Sequence, residues 1–136
     1  MADSTGTLTI SEVAHRTGLS VHALRFYERE GVLADPVRRD AAGRRRYSEA
    51  DVGWLTVCIV LRESGMPLPE IRRYTELVRQ GGGTEAERLA LMRVHRERVL
   101  QQIAQLTRSL DLINYKVGVY EDAVGTTASS PTVATG

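Results

Sequence analysis

Short apolar runs at helical spacing, separated by glycines, open the chain. Thr9 followed by Glu12 has the sequence of a capping box at the start of a first helix. Gly18 stops that helix, and Ser20 is placed to cap a second helix that runs to about Glu30. Two short helices around a glycine-containing turn predict a helix-turn-helix motif.

An arginine-rich segment follows the two helices. Two runs typical of short strands flank a turn at residues 40–43. The segment 38–46, called the wing here, has five arginines and one aspartate, a charge of +4, whereas the whole chain is +1. Such focused charge attracts phosphate and makes binding salt dependent. We expect a winged helix-turn-helix that binds duplex DNA; the alternative is an ordinary solvated surface.

The second helix and the wing supply the candidate DNA contacts. Leu24 is the inward anchor of the second helix, so its other faces are free to reach DNA. Arginine can bond guanine edges bidentately, and both arginine and tyrosine can bond phosphate. The candidates are Val21, His22, Arg25, Tyr27, Arg38, Arg39, Arg44, Arg45 and Arg46.

A second helix pair is predicted behind the wing. Ser48 with Asp51 can cap its first helix, Gly65 ends that helix, and Pro69 suits the first turn of the next. These helices would pack the DNA-binding unit together.

One long helical pattern covers residues 84–124, after three consecutive glycines. About 41 residues at ~1.5 Å rise make a rod of roughly 60 Å, too long for a small domain to cover. A second copy in a two-fold dimer is the simplest partner, and a helix folded back on the first domain is the alternative. Apolar residues alternate three and four apart, as in a coiled-coil seam, interrupted only where Arg96 occupies the expected position. They are Leu89, Met92, Val99, Ile103, Leu106, Leu110, Ile113, Val117, Tyr120 and Val124.

The chain resembles the MerR family of bacterial transcription regulators. The resemblance rests on residues 10–14, 17–20, 24–28, 31–33, 46–48, 51–52 and 61–71. It implies a mostly α fold: a winged helix-turn-helix domain with a second helix pair over 8–80, then a dimerisation helix over 84–124 that forms an antiparallel coiled coil. It also adds four residues to the DNA-binding set: Ser20, Phe26, Tyr47 and Arg62.

The resemblance further implies how the protein acts. MerR-like homodimers bind a pseudo-palindromic operator in a promoter and bend and untwist the DNA to control transcription, so the expected partners are promoter DNA, a second copy and RNA polymerase. The alternative is an architectural DNA-bending or adaptor protein without effector control.

A sensor is not evident in the sequence. Metal-sensing relatives place cysteines at both ends of the long helix, whereas residues 84–86 and 124–126 here contain none. One thiol and the scattered histidines His15, His22 and His95 cannot build a thiolate site, so we expect neither a metal nor a cofactor. An unknown small-molecule effector stays open, with a pocket expected between the long helix and the partner's helix at 69–79.

Cys58 is the candidate for a thiol sensor. Some small relatives sense electrophiles through a cysteine in this helix, but Cys58 lies about two residues earlier, ~200° around the helix, with Val60 at the expected place. Its apolar neighbours favour a buried, inert residue.

Composition sets the remaining bounds. Apolar residues make up 42% of the 136, without a run near the ~20 that a membrane span needs. Residues 1–9 are short and polar, unlike a secretory signal, and one cysteine fits a cytoplasmic protein. No catalytic constellation is evident, so an enzyme is not expected. Residues 125–136, rich in Thr, Ser, Ala and Gly, predict a disordered tail.

Overall fold

The computed structural model describes the backbone of residues 7–135 and the side chains of residues 7–126. Within these bounds the fold is mostly helical with a small sheet, as predicted. The elements in chain order are β1 (Thr7–Thr9), α1 (Ile10–Thr17), α2 (Val21–Arg29), β2 (Arg38–Arg39), β3 (Arg45–Ser48), α3 (Glu49–Glu63), α4 (Leu68–Gln80) and α5 (Glu85–Thr135).

Side-chain caps explain why the helices begin where they do. The Thr9 hydroxyl accepts from the Glu12 N–H at 3.1 Å, and the Glu12 carboxylate accepts from the Thr9 N–H at 2.7 Å. Ser20 caps α2 by accepting from the Ala23 N–H at 3.0 Å. A second capping box starts α3 at Ser48. The predicted caps are confirmed.

Three short antiparallel strands form the sheet, in the order β1-β3-β2. In the turn between β2 and β3, the Asp40 carboxylate accepts from the N–H groups of Ala42 and Arg44 at 2.9 and 3.0 Å. The hydrogen bond from the Arg44 N–H is the main reason that the pKa of Asp40 is lowered. Strand β1 was not predicted, because three residues are too few to show an alternating pattern.

The core lies where α1 to α4 meet the inner face of the sheet. Its fully buried members include Val13, Leu24, Leu55 and Ile71. At the edge of this core Trp54 of α3 stacks on a tyrosine of α4, with ring centroids 5.6 Å apart.

Helix α5 begins after the predicted glycine break. Gly81, at φ 78°, ends α4, and the Thr84 hydroxyl donates to the carbonyl of Leu77 at 2.8 Å. Contacts divide the chain into a first unit that ends at His95 and a second that starts at Arg96. No helix in the described part is long and apolar enough to cross a membrane.

The end of α5 differs from the prediction. The helical backbone continues to Thr135, although the sequence pattern placed the end near residue 124 and a disordered tail after it. A glycine such as Gly125 weakens a helix without stopping it, so the helix passes the predicted end near residue 124. The side chains of residues 127–136, and residue 136 itself, lie outside the described residues.

Candidate nucleic-acid interface

Helix α2 presents a polar face beside the wing. Leu24 is 1% exposed and holds the helix to the core, whereas His22 and Arg25 are exposed. Arg25 makes no hydrogen bond or ion pair with any other residue in the described range. Its guanidinium therefore keeps all its donors for another molecule. Val21 is half-buried, and the Ser20 hydroxyl is occupied as the cap.

Phe26 adds an apolar group to this face. Its ring is 36% exposed, and the guanidinium carbon of Arg29 lies 5.9 Å from the ring centroid. This is a cation–π contact at an exposed site, which holds the arginine over the ring.

The exposed arginines of the wing are used in different ways. Arg44 pairs with Asp40 at 3.2 Å, and Arg39 donates to the carbonyl of Gly43 at 2.9 Å. Arg38 is exposed and has no hydrogen bond or ion pair within the described residues. Arg38 is therefore uncommitted, meaning that no other described residue holds its guanidinium and its charge is free to attract phosphate.

Arg45 and Arg46 fasten the wing to the rest of the domain. The Nε of Arg45 lies 2.5 Å from a carboxylate oxygen of Glu28 on α2, and both side chains are about a quarter exposed. Arg46 donates from Nη2 to the hydroxyl of Thr7 on β1 at 2.9 Å. These two arginines hold the wing in place, a role that the charge pattern does not reveal.

A cleft of about 380 Å³ brings the predicted contacts together. Arg25 from α2 and Arg39, Arg44 and Arg45 from the wing line it. Thr9, the cap of α1, and the first two residues of that helix, Ile10 and Ser11, line its other side and were absent from the predicted set. The pairing of β1 with β3 places Thr9 opposite Arg46, so recognising that strand would have found them.

Two tyrosines of the predicted set have their rings in the core. Tyr27 is 7% and Tyr47 1% exposed, and the hydroxyl of Tyr47 is buried without a hydrogen-bond partner among the described atoms. Burial raises the pKa of both hydroxyls. Tyr27 follows Leu24 by three residues and so shares its inward face, while Tyr47 pairs with Leu8 on β1. Both rings belong to the core. The buried hydroxyl of Tyr47 argues against its predicted DNA contact, whereas the phosphate contact of Tyr27 stays a prediction.

Arg62 lies in the last turn of α3 and is exposed. Within the described residues, its side chain makes one long hydrogen bond, 3.5 Å from Nη1 to the carbonyl of Met66. Its phosphate contact stays a prediction.

Cys58 is a core residue. It is 0% exposed, and its thiol lies 3.6 Å from the carbonyl oxygen of Val32, to which it can donate. Burial raises its pKa to about 11, so the reactive thiolate is scarce at neutral pH. This environment argues against thiol sensing. Across the described residues, no group of three or more His, Cys, Asp or Glu is placed to hold a metal ion.

The seam of α5 carries its apolar side chains on the surface of the chain. Met92 is the exception, because it is half-buried and packs against the core of the first unit, and its place in the seam stays a prediction. Val99 is half-buried. The others are 47–69% exposed: Leu89, Ile103, Leu106, Leu110, Ile113, Val117, Tyr120 and Val124.

A helix-turn-helix, a wing that belongs to a three-stranded sheet and an arginine-lined cleft between them define a winged helix-turn-helix DNA-binding protein. A family model described as MerR HTH family regulatory protein matches residues 8–77, and one described as MerR, DNA binding, matches residues 52–114. The chain belongs to the MerR family of transcriptional regulators, a family of regulators and not of enzymes.

Similar proteins agree with this assignment. An HTH-type transcriptional regulator of Haemophilus influenzae is 40% identical over 117 residues, which are 86% of this chain and 86% of that protein. The regulator AdhR of Bacillus subtilis is 32% identical over 94 residues, 69% of this chain and 66% of that one. The crystal structure of HiNmlR, a MerR family regulator lacking the sensor domain, bound to promoter DNA, is 40% identical, with a TM-score of 0.78 over 86% of this chain and 92% of that chain. The predicted family and functional class are confirmed.

Proposed function

We propose that this protein is a homodimeric regulator that binds a pseudo-palindromic promoter operator and bends and untwists it to control transcription. The observation that carries the proposal is the cleft in which Arg25 of α2 meets the arginines of the wing. An uncommitted arginine on a helix suits base reading in the major groove, and arginines on an adjacent hairpin suit the flanking phosphates.

The dimer is proposed from the apolar seam of α5. Ile103 and Leu110 are each 54% exposed, and burying such a side chain is favourable by roughly 1.5–3 kcal/mol. A second copy of α5, antiparallel to the first, offers the same seam in return and relates the two DNA-binding domains by a two-fold axis. Two-fold symmetry in the protein is matched by pseudo-palindromic DNA.

Promoter control is proposed from the relatives. HiNmlR is described as bound to promoter DNA. Bending and untwisting DNA costs several kcal/mol, which additional phosphate contacts must offset. The exposed Arg38, Arg44 and Arg62 are suited to make them, and RNA polymerase at the same promoter is the expected partner.

The test separates base reading from phosphate contact. One probe is a duplex that the wild-type protein selects from a random-sequence pool, and the other is a scrambled duplex of the same composition. Arg25→Ala should lower the preference for the selected duplex by about tenfold or more, because a base contact is lost. Arg38→Ala should weaken binding to both duplexes equally and reduce the salt slope by roughly one.

Arg93→Ala, which removes an exposed arginine from α5, is the charge-matched control and should leave both binding constants nearly unchanged. If Arg38→Ala abolished the preference while Arg25→Ala preserved it, the two roles would be reversed. A wild-type protein that selects no sequence at all would instead support an architectural DNA-binding protein.

A further inference from the structure

The loop of residues 31–34, between α2 and the wing, is held by side chains from the second helix pair. Helix α2 ends with the N–H of Val32 donating to the carbonyl of Tyr27 at 3.3 Å and Gly31 in a left-handed conformation at φ 72°. The next four carbonyls, of residues 31–34, are beyond the helix ladder. Each of them accepts a hydrogen bond from a side chain of α3 or α4.

Arg79, in the last turn of α4, serves three of these carbonyls. Its Nη2 donates to Gly31 at 3.2 Å and also to Leu33, and its Nε donates to Ala34 at 3.2 Å. A planar guanidinium suits such an array because its donors point in fixed directions. Its positive charge also lies at the C-terminal end of α2, where the helix dipole favours a cation.

The fourth carbonyl, of Val32, is buried and accepts from a side chain of α3. The indole N–H of Trp54 donates to it at 2.6 Å. The hydroxyl of Thr75 lies 3.3 Å from the same carbonyl, but its single hydrogen has the shorter contact, at 2.8 Å, with the carbonyl of Ile71. The side chain of Val32 is itself 0% exposed. The loop is therefore fixed on both its polar and its apolar sides.

A second arginine of α4 reaches the end of α2 directly. The Nη1 of Arg72 lies 2.5 Å from a carboxylate oxygen of Glu30, and the two side chains are 41% and 34% exposed. Its contribution to stability is small at this exposure. Its geometry nevertheless repeats the contact of Arg79, because both arginines join α4 to the C-terminal end of α2.

We propose that Arg79 is a positioning residue for DNA recognition: it fixes the loop at residues 31–34, and so sets the angle of α2 and the wing relative to α4. This inference rests on the proposed function. Arg79 touches no DNA in this scheme; it acts through α2, whose Arg25 reads the bases. Loss of Arg79 then loosens the fit to one sequence and leaves the general attraction of the wing for phosphate intact.

The experiment compares Arg79→Ala, Arg79→Lys and Arg73→Ala on the selected and the scrambled duplex. Arg73 lies on the same helix and pairs with Glu87 at 2.9 Å, so its removal changes the charge equally without touching the loop. Arg79→Ala should reduce the preference for the selected duplex by about tenfold, the size of one lost base contact, with binding to the scrambled duplex within about twofold of wild type. Arg79→Lys keeps the charge without the planar array and should be intermediate.

The fluorescence of Trp54, the only tryptophan in the sequence, gives an independent signal from the loop. Because its indole donates to Val32, Arg79→Ala should shift the emission of the free protein, whereas Arg73→Ala should not. Arg79→Lys replaces Arg79→Ala in this comparison if that variant does not fold, and should show a smaller effect in the same direction.

The outcomes separate the two proposals. If the wild-type protein does not distinguish the duplexes, the proposed function fails. If the wild-type protein distinguishes them and Arg79→Ala matches Arg73→Ala in both preference and emission, the positioning role is excluded. Equal weakening on both duplexes after Arg79→Ala would also exclude it.

Discussion

The arginines of the wing have different roles. Arg38 is exposed and uncommitted, whereas Arg45 is held by Glu28 and Arg46 by Thr7. The charge of the segment was predictable, because counting residues suffices. The different roles of the arginines were not predictable, because Glu28 lies 17 positions from Arg45 along the chain and Thr7 lies 39 positions from Arg46. Such pairings arise only when the wing has folded onto α2 and β1.

Tyr27 and Tyr47 show that the surroundings of an amphipathic side chain cannot be read from the sequence alone. A tyrosine near arginines in a DNA-binding helix can bond phosphate, and the sequence permits that interpretation of Tyr27 and Tyr47. Their rings are largely apolar, and both rings pack in the core. Tyr27 lies on the same face of α2 as Leu24, and Tyr47 lies opposite Leu8 of β1, so both rings point into the core.

Burial of Cys58 leads to a prediction about its reactivity. Iodoacetamide should alkylate it about a hundredfold more slowly in the native protein than after unfolding, because a pKa near 11 leaves two orders of magnitude less thiolate than an ordinary thiol. As the native pKa is the raised one, this group's contribution to stability is complete below about pH 9 and is lost as pH rises toward 11. Mass spectrometry of timed samples measures the rate.

A matched control places a thiol on the exposed side of the same helix. Val60 is 57% exposed, so the double variant Cys58→Ala and Val60→Cys should react at nearly the rate of a free thiol while folded. Equal native rates for Cys58 and the new thiol would contradict the inert assignment.

At the scale of elements, the predictions that succeeded rest on local chemistry. The capping boxes at Thr9 and Ser48 and the glycine at position 18 act within four residues, so the starts and stops of α1 and α3 could be inferred directly. Strand β1 depends on β3, nearly forty residues later, for all its backbone pairing. A local sequence pattern therefore could not predict this strand. For the same reason it could not predict that the start of α1 lines the cleft.

The seam of α5 gives a prediction with a closely matched control. Leu110 and Leu112 are 54% and 61% exposed, but only Leu110 lies on the seam, since two residues turn a helix by ~200°. Leu110→Glu should raise the dimer dissociation constant by at least about a hundredfold, because each copy loses a buried aliphatic side chain worth ~1.5–3 kcal/mol. Leu112→Glu should leave the dimer intact.

Sedimentation equilibrium over a range of protein concentrations measures both constants. A wild-type chain that stays monomeric at micromolar concentration would remove the basis for the dimer. Equal weakening by the two glutamates would mean that another face of the helix pairs.

At the scale of the whole molecule, the proposed function is a change in the shape of the bound DNA. In the proposed dimer, the antiparallel α5 pair fixes the separation of the two DNA-binding domains, and each domain holds its α2 through the loop at residues 31–34. A rigid pair of domains can impose its own spacing on the duplex only if phosphate contacts offset the distortion. The uncommitted Arg38 of the wing is suited to that role on each half-site.

The last prediction is that binding bends the operator and makes promoter activity depend on the spacing of the two polymerase elements. Fluorescence transfer between dyes at the two ends of the selected duplex should rise when the protein binds, and Arg38→Ala should reduce the rise as well as the affinity. In a transcription assay, removing about two base pairs between the elements rotates them by ~70°, at 10–10.5 base pairs per turn, and does part of the untwisting that the protein is proposed to do. The shortened promoter should therefore be active without the protein and gain little from adding it. Unchanged fluorescence transfer, together with unchanged dependence on the protein after shortening, would leave a repressor that acts by occupying the promoter, because a straight operator cannot correct the angle between the two elements.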